Sequence, residues 1–414
     1  MALCGLRVLR VKNLRMLSLG RNERQSRFDW LQLLAIGSLI AIGVTFVFSA
    51  TSTDTSATTP WYNQLFVRQI IWCVVGLTAA AIICLVDYHI LARWSFVAYW
   101  FSILLLIAVF IVGPVKWGAQ RWIDLGPFQL QPSEFAKLAF ILAMGHFLSR
   151  PIDELRQPRI FWKAVGLMIL PFLLILKEPD LGSALIFLPM GLAMMFVGGV
   201  PIRFLGRLVG GGTLMILLIM VDVLFAPPQW QIKLEDYQKR RLLVYFGLDG
   251  VPADASPARK AEARREMRNY SYNVDQALIS VGSGGMFGKG FRQGTQNALG
   301  YLPKAVAHND FIFSVIAEEK GFMGSVMVIA LYSVVLFTGI RTAGQARDRL
   351  GKLLAIGIVA MWFSHIFINI GMNIRLMPVT GVPLPLLSYG GSSVICSLIA
   401  AGILQNVYIY RRSY

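Results

Sequence analysis

Charged residues are scarce in this sequence of 414 residues. They make up only 15% of it, whereas hydrophobic residues make up 56% and the mean hydropathy is +0.60. Soluble domains carry about 25% charged residues, so this composition excludes an ordinary soluble protein. The repeated apolar runs of roughly 18 residues or more predict transmembrane helices instead.

Sequence signals for several common chemistries are also missing. The four cysteines, Cys4, Cys73, Cys84 and Cys396, form neither a disulfide framework nor a zinc-binding pattern. There is no His/Cys/Asp cluster with transition-metal spacing, no Gly-x-Ser-x-Gly nucleophile elbow and no Gly-Lys-Ser/Thr P-loop. The formal net charge is +17, but no compact basic domain or RNA motif accompanies it, which argues against nucleic acid. Positive cytoplasmic loops and lipid headgroups account for most of this charge, and the remainder is available to an anionic substrate.

The apolar runs predict an all-α polytopic membrane protein with ten transmembrane helices. The predicted spans lie near residues 30–50, 66–86, 96–113, 134–149, 161–176, 182–199, 204–226, 310–340, 353–374 and 391–410. Loops on the N-terminal side of the membrane carry arginine and lysine, and short opposite loops such as 51–65 lack them. This asymmetry places both termini in the cytoplasm.

Three regions follow from this topology. Residues 1–28 form a basic cytoplasmic arm without a signal-peptide cleavage site, and residues 29–414 form a single transmembrane domain. Residues 227–309, between spans 7 and 8, form a large extracytoplasmic loop. Within it, the Ala-, Glu- and Arg-rich stretch 253–268 predicts a short exposed helix.

Asp310 stands where this polar loop enters an apolar helix, a costly position for a carboxylate without a partner or a function. Three interpretations remain open: a helix N-cap, one half of a structural ion pair, or a general base. Glu318 and Glu319 lie two to three helical turns further along, about 12 Å away at 1.5 Å per residue. Such buried acids usually pair with a base from another span.

The glycine-rich run from Gly282 to Gly294 has two interpretations. It is either a re-entrant turn or a cradle in which backbone N–H groups and Lys289 approach a phosphate.

The helix that starts near Pro132 carries two ionisable residues, Glu134 and Lys137. They lie three residues apart and share one face, so they can pair, although Glu318 and Glu319 are also possible partners for the buried lysine. Arg121 precedes this helix on the extracytoplasmic side. The turn 177–182 contains Asp180 and is a candidate to line a site, and Arg375 precedes a proline-rich bend that could re-enter the membrane.

Four ordered blocks of the sequence resemble the SEDS family (shape, elongation, division, sporulation). The first comprises Gly118-Ala119-Gln120-Arg121-Trp122-Ile123 and Gln131-Pro132-Ser133-Glu134, and the second is Pro179-Asp180-Leu181-Gly182. The third runs from Gly282 to Gln296 and ends with Asp310-Phe311-Ile312-Phe313. The fourth runs from Met377 to Pro385 and ends with Ser388-Tyr389-Gly390-Gly391-Ser392-Ser393. The resemblance covers roughly residues 30–412.

This resemblance implies an inverting peptidoglycan glycosyltransferase with ten transmembrane helices. Such enzymes polymerise lipid II, a disaccharide-pentapeptide on undecaprenyl pyrophosphate, at the outer face of the bacterial cytoplasmic (inner) membrane. Their partner is a class B penicillin-binding protein, whose transmembrane helix is expected beside spans 8 and 9. The Gly288-Lys289-Gly290 motif favours the RodA-like elongation branch over the FtsW-like division branch. A lipid II flippase and a pure scaffold are the alternatives from other classes.

The same resemblance assigns roles to residues of this chain. Asp310 is the expected catalytic base. The expected substrate-binding residues are Arg121, Lys289, Gln296, His308, Arg375, Ser388 and Ser392. The expected supporting residues are Glu134, Lys137, Asp180, Glu318 and Glu319. No metal-binding residue is assigned, although a divalent cation such as Mg or Mn is an alternative source of positive charge for the departing pyrophosphate.

Two departures from the family pattern accompany these roles. Two extra residues stand between Leu302-Pro303 and His308, and Lys320 replaces the usual apolar residue after the paired glutamates.

Overall fold

The computed structural model describes residues 28–51, 64–114, 120–124, 126, 129–225, 245–246, 257–302 and 304–411. The described helices are α1 Trp30–Thr51, α2 Leu65–Leu85, α3 Tyr88–Arg93, α4 Ser95–Val112, α5 Pro132–Leu148, α6 Ile152–Leu155, α7 Pro158–Lys177, α8 Leu181–Gly198, α9 Ile202–Phe225, α10 Pro257–Ser283, α11 Thr295–Ala298, α12 Lys304–Ala307, α13 Ile312–Gln345, α14 Arg349–Asn373 and α15 Gly391–Tyr410. In the same ranges, the strands are β1 Ile123–Asp124 and β2 Gln129–Leu130, which pair as an antiparallel hairpin.

The chain is a multi-pass, all-α membrane protein. Nine helices in the described ranges are long and apolar enough to cross a membrane. The remaining predicted span corresponds to α5, which has 17 residues and contains the charged pair Glu134 and Lys137. A spanning helix needs about 20 predominantly apolar residues. The predicted positions of the helices are therefore confirmed, whereas the count of ten spans is not.

Small residues allow the membrane helices to approach closely. A methyl group on Gly402 of α15 would lie 2.8 Å from the Cα atom of Ala80, and one on Gly76 of α2 would lie 2.6 Å from a methyl group of Leu398. Lipid tails are as apolar as the side chains, so helix association in a membrane depends on this close packing. Helices α2 and α15 consequently form one of the tightest pairs in the bundle.

The helix predicted as one continuous span near 310–340 is broken at Gly321. This residue has φ 66° and ψ −160°, which divides α13 into a short buried segment and a long apolar one. The break leaves backbone groups without helical partners, and such groups must be satisfied inside a membrane protein. The backbone N–H of Phe322 donates to the carbonyl of Gly285 at 2.8 Å, and the backbone N–H of Met323 donates to the carbonyl of Met286 at 3.1 Å.

The glycine-rich run also satisfies backbone carbonyl groups that the break leaves without helical partners. The N–H groups of Lys289 and Gly290 donate to the carbonyls of Glu318 and Glu319, each at 3.0 Å. Gly288 has φ 81°, and a methyl group there would lie 2.2 Å from the carbonyl oxygen of Glu319. The run is therefore a turn packed into the helix break, and the anion-cradle interpretation is wrong for these two N–H groups.

The large loop contains more helix than predicted. The expected short helix at 253–268 is instead α10, a helix of 27 residues from Pro257 to Ser283 that also packs against α13. Predicted features outside the described residues are residues 1–27 of the basic arm 1–28, most of the short loop 51–65, Gly118-Ala119, Pro303, and most of 227–256.

Candidate active site

A polar cavity of about 410 Å³ collects residues from distant parts of the chain. They come from the start of α2, the β-hairpin, the turn before α8, the segment before α13 and the loop before α15. The lining residues are Arg68, Trp72, Arg121, Trp122, Gly126, Gln129, Gln131, Asp180, Asn309, Asp310, Gly381, Pro383, Tyr389, Gly390, Gly391, Ser392 and Ser393. Residues of the first, second and fourth sequence blocks therefore meet at one site, and Asp310 from the end of the third block joins them.

Asp310 lies at this cavity, and the N-cap interpretation for it is wrong. Helix α13 begins at Ile312, and its capping position is occupied by Phe311, which makes no side-chain cap hydrogen bond. The Asp310 N–H donates to the carbonyl of Val306 at 3.0 Å, and its side chain is half-buried. A methyl group on Gly381 would lie 3.5 Å from Oδ2 of Asp310, so the loop before α15 faces the carboxylate.

Arg121 is anchored to the turn that follows α7. Its Nε donates to the carbonyl of Glu178 at 3.3 Å, and its guanidinium also donates to the carbonyl of Pro179. Asp180 caps α8 by accepting from the N–H of Ser183 at 3.2 Å, and it lines the cavity as the sequence predicted. The turn thus holds one cation and one anion at the cavity wall.

Glu178, in the same turn, is a buried acid that the sequence analysis did not single out. Only 1% of it is exposed, and neither carboxylate oxygen has a hydrogen-bond partner in the described residues. Burial, and to a smaller extent the nearby Asp180 carboxylate, raise the pKa of this carboxyl to about 9 against the opposing effect of Arg121. The raised pKa favours the neutral form of Glu178 at neutral pH, so this buried acid adds no negative charge to the turn that holds Arg121.

Arg68, Trp72 and Tyr389 form a second wall that the sequence analysis missed. The Tyr389 side chain is hydrogen-bonded to Arg68 and to Trp72, and burial raises the pKa of its hydroxyl. Arg68 adds a second cation to the cavity. An arginine in the first turn of an apolar helix was the available signal, because a cation there needs a partner or a function.

The predicted polar residues of the last block mainly shape the loop. Ser392 accepts from the N–H of Gln131 at 3.0 Å and donates to the carbonyl of Gln129 at 3.1 Å, which ties the hairpin to α15. Ser388 donates to the carbonyl of Asn309 at 2.6 Å.

His308 belongs to the same loop contact. Its carbonyl accepts from the N–H of Tyr389 at 2.9 Å, and its ring packs edge-on against that tyrosine. Of His308, Ser388 and Ser392, only Ser392 lines the cavity.

Four other predicted residues gather beside the helix break. The Nζ atom of Lys289 lies 2.7 Å from Oε1 of Glu318, and the N–H of Gln296 donates to the same oxygen at 2.9 Å. Glu319 accepts from Ser49 at 2.5 Å and from the N–H of Arg292 at 3.0 Å. Lys289 and Gln296 are thus absent from the cavity lining, and the geometry does not support their predicted contact with substrate.

Arg375 is also placed elsewhere. It has φ 59° and forms an ion pair with Asp275 of α10 at 2.9 Å, with 40% of its side chain exposed. This pair links the large loop to the end of α14, so the predicted substrate contact of Arg375 is not supported by the cavity geometry either.

The predicted partner of Lys137 is confirmed as Glu134. Their Nζ and Oε1 atoms lie 2.7 Å apart, and both side chains are buried. Nζ also lies 2.8 Å from Nε2 of His365, whose Nδ1 is 3.2 Å from the carbonyl of Pro383. The carbonyl can only accept, so Nδ1 carries the proton and Nε2 accepts from the lysine.

The donor set of the described residues does not fit a protein-held metal ion. No group of three or more His, Cys, Asp or Glu side chains among them is arranged to hold one. The cavity itself offers two acids and two arginines.

Comparison with known proteins gives consistent matches over nearly the whole chain. The family model FTSW_RODA_SPOVE, described as a cell cycle protein, matches residues 29–413. The peptidoglycan glycosyltransferase MrdB of Escherichia coli (strain K12) is 32% identical over 386 residues, covering 93% of this chain and 94% of the relative. The peptidoglycan glycosyltransferase RodA of Treponema pallidum (strain Nichols) is 32% identical, covering 92% of this chain and 98% of the relative.

Solved structures agree with these matches. A chain from a peptidoglycan synthase complex that coordinates polymerization and crosslinking superposes with a TM-score of 0.71 at 28% identity, covering 94% of this chain and 99% of that one. A crystal structure of the Thermus thermophilus rod shape determining protein RodA superposes with a TM-score of 0.62 at 28% identity, covering 94% of this chain and 98% of that one.

Proposed function

The chain belongs to the FTSW_RODA_SPOVE family of cell cycle proteins, and from that membership we propose that it polymerises lipid II into glycan strands during cell elongation. It is a peptidoglycan glycosyltransferase, as its relatives are named. We place the polymerisation at the outer face of the cytoplasmic membrane, because the loop charges predict that the segment preceding α13, which lines the cavity, lies on that side. The FtsW-like division role is the alternative within the same family.

The observation that carries this proposal is the position of Asp310. Its carboxylate stands half-buried in a polar cavity that also contains Arg68 and Arg121. The acceptor sugar hydroxyl is weakly acidic and needs a base within hydrogen-bond reach as the new bond forms. Asp310 is the acid of the cavity that does not cap a helix, so we assign it this role.

The two arginines complement the other end of the reaction. The lipid pyrophosphate departs from the anomeric carbon as an anion, and cations that are fixed before the reaction stabilise that developing charge. Arg121 is held by two backbone carbonyls, and Arg68 is held by Tyr389. A β-linked product from an α-linked donor requires inversion, which needs one base and no covalent sugar intermediate.

A class B penicillin-binding protein is the proposed partner. The structural neighbour from a peptidoglycan synthase complex, in which polymerization is coordinated with crosslinking, supports this assignment. The partner's transmembrane helix is proposed to pack beside α13 and α14. The new glycan strand would then leave the cavity next to the domain that cross-links it.

Polymerisation by purified protein in detergent tests the proposed function. A detergent micelle has no second leaflet, so a flippase or a scaffold produces no glycan from lipid II under these conditions. We expect glycan chains whose formation requires the protein and does not require a bilayer. Protein that is folded and partner-bound but makes no glycan would support the flippase or scaffold alternative and refute the proposal.

A further inference from the structure

Two buried asparagines of α14 hold the backbone of Asp310. The Nδ2 atom of Asn369 donates to the Asp310 carbonyl at 3.0 Å, and the Nδ2 atom of Asn373 donates to the same oxygen at 3.1 Å. The asparagines lie four residues apart, so they project from one face of the helix. We define this pair as the amide clamp.

The amide clamp is itself held in place by further hydrogen bonds. Asn373 accepts from the hydroxyl of Ser314 at 2.5 Å and donates to the backbone carbonyl of Asn369 at 2.8 Å. Both asparagines are fully buried. Buried amides without partners are costly, so a side chain with this many partners is restricted to one rotamer.

Asn369 also holds the opposite wall of the cavity. Its Nδ2 atom donates to the carbonyl of Val382 at 2.7 Å. Val382 stands between Gly381 and Pro383, which both line the cavity. A single amide group thus connects the backbone of Asp310 to the loop that faces its carboxylate.

The helix that carries the clamp is a suitable reference for this geometry. Helix α14 packs against α5, α8 and α13, and most of its side chains are buried. By contrast, Asp310 lies in a turn outside any helix, where the backbone has more freedom. Catalytic groups must be held within about 0.5 Å of the productive position, which requires support from a rigid element.

We propose that Asn369 and Asn373 are positioning residues that fix the Asp310 carboxylate against the facing loop. This inference rests on the proposed role of Asp310 as the base. Of the two cavity walls, Asn373 contacts only the Asp310 side directly and otherwise donates to Asn369, whereas Asn369 donates to both walls. Loss of Asn373 therefore lowers the rate of the chemical step without weakening lipid II binding. Loss of Asn369 lowers this rate and also weakens lipid II binding.

Asn373→Leu tests this proposal, with Asn406→Leu as the matched control. Asn406 is also a fully buried asparagine whose Nδ2 donates to two carbonyls, those of Ile83 and Val86, but it lies near the far end of α2 from Arg68. Single-turnover polymerisation and lipid II affinity are measured per folded, full-length enzyme. We expect Asn373→Leu to lose roughly 10- to 100-fold in rate with little change in affinity, because a displacement of about 1 Å has this effect. We expect Asn406→Leu to retain the wild-type rate.

Combination with Asp310→Asn distinguishes positioning from a general structural role. An amide at position 310 cannot act as a base, so its displacement should change the residual rate by less than about 2-fold. An equal loss in both backgrounds, or a wild-type rate for Asn373→Leu, overturns the clamp. If the leucine variant does not fold, Asn373→Ala replaces it with the same two outcomes. Wild-type activity of Asp310→Asn alone would instead refute the proposed base.

Discussion

At the scale of single residues, burial changes the protonation of an acid in the turn that holds Arg121. This acid is Glu178, because burial and the nearby Asp180 carboxylate together raise the pKa of its carboxyl from 4.5 to about 9 against the opposing effect of Arg121. The folded protein keeps this proton across that range and the unfolded chain releases it. The free energy of unfolding therefore falls as the pH rises from about 4.5 to 9, by up to ~1.4 kcal/mol per pH unit.

Glu178→Gln removes this proton equilibrium while keeping the shape of the neutral acid. We expect the variant to become progressively more stable than the wild type between pH 5 and pH 9, because only the wild type has a proton to lose. Thermal unfolding in detergent at several pH values measures the difference. A difference that stays constant across this range would show that Glu178 is ionised in the folded protein.

The buried pair of Lys137 and Glu134 makes a second prediction at this scale. Lys137→Met leaves the carboxylate of Glu134 buried without its cation, which costs about 3–5 kcal/mol in comparable pairs. We expect the double variant with Glu134→Gln to recover part of this loss in thermal stability. Additive losses would show that the pair is not coupled, and the role of His365 would then need to be tested as the partner of the lysine.

Residue-level reasoning from the sequence located part of the site. Asp310 and Asp180 were singled out by their position at polar turns next to apolar helices, the family resemblance assigned roles to Asp310 and Arg121, and all three residues line the cavity. Arg68 was missed because a single cation at the start of a helix carries no pattern of its own. The pairing of Lys289 with Glu318 was not predicted, because the two residues are 29 positions apart and only the fold brings them together.

At the scale of elements, the break in α13 connects the large loop to the helix that follows Asp310. Hydropathy predicts where an apolar helix lies, but it gives no signal for a helix break at a single glycine such as Gly321, which has φ 66°. A single unbroken span was therefore expected there. The hairpin β1–β2 was unforeseen for a related reason, since strands of two residues leave no periodicity to detect.

Gly321→Ala tests the importance of this break, with Gly344→Ala on the same helix as the control. A methyl group on Gly321 would lie 2.3 Å from the N atom of Gly288, whereas Gly344 has open space around it. We expect Gly321→Ala to lower thermal stability strongly and Gly344→Ala to have little effect or to stabilise slightly, by about 0.5–1 kcal/mol. Equal behaviour of the two variants would contradict the observed backbone at the break.

At the scale of the whole molecule, the account requires the cavity and α10 to lie outside the cytoplasm. The loop charges predict this orientation, and both termini would then be cytoplasmic. In a background without Cys4, we expect Arg265→Cys to react with an impermeant maleimide in spheroplasts, because Arg265 is exposed on α10. Arg156→Cys, at another exposed site, should react only after lysis. Labelling of Arg156→Cys in spheroplasts, with labelling of Arg265→Cys only after lysis, would show that the topology is the reverse of the predicted one.

Single-turnover polymerisation of lipid II by Asp310→Asn tests the central claim most directly. The enzyme is purified with its partner, and Asp153→Asn serves as the control because the Asp153 side chain is 96% exposed and remote from the cavity. We expect Asp310→Asn to keep wild-type expression and thermal stability but to lose about 10²-fold or more in rate, because an amide cannot accept the proton. Asp153→Asn should match the wild type. A near wild-type rate for folded Asp310→Asn would contradict the assignment of this residue as the base.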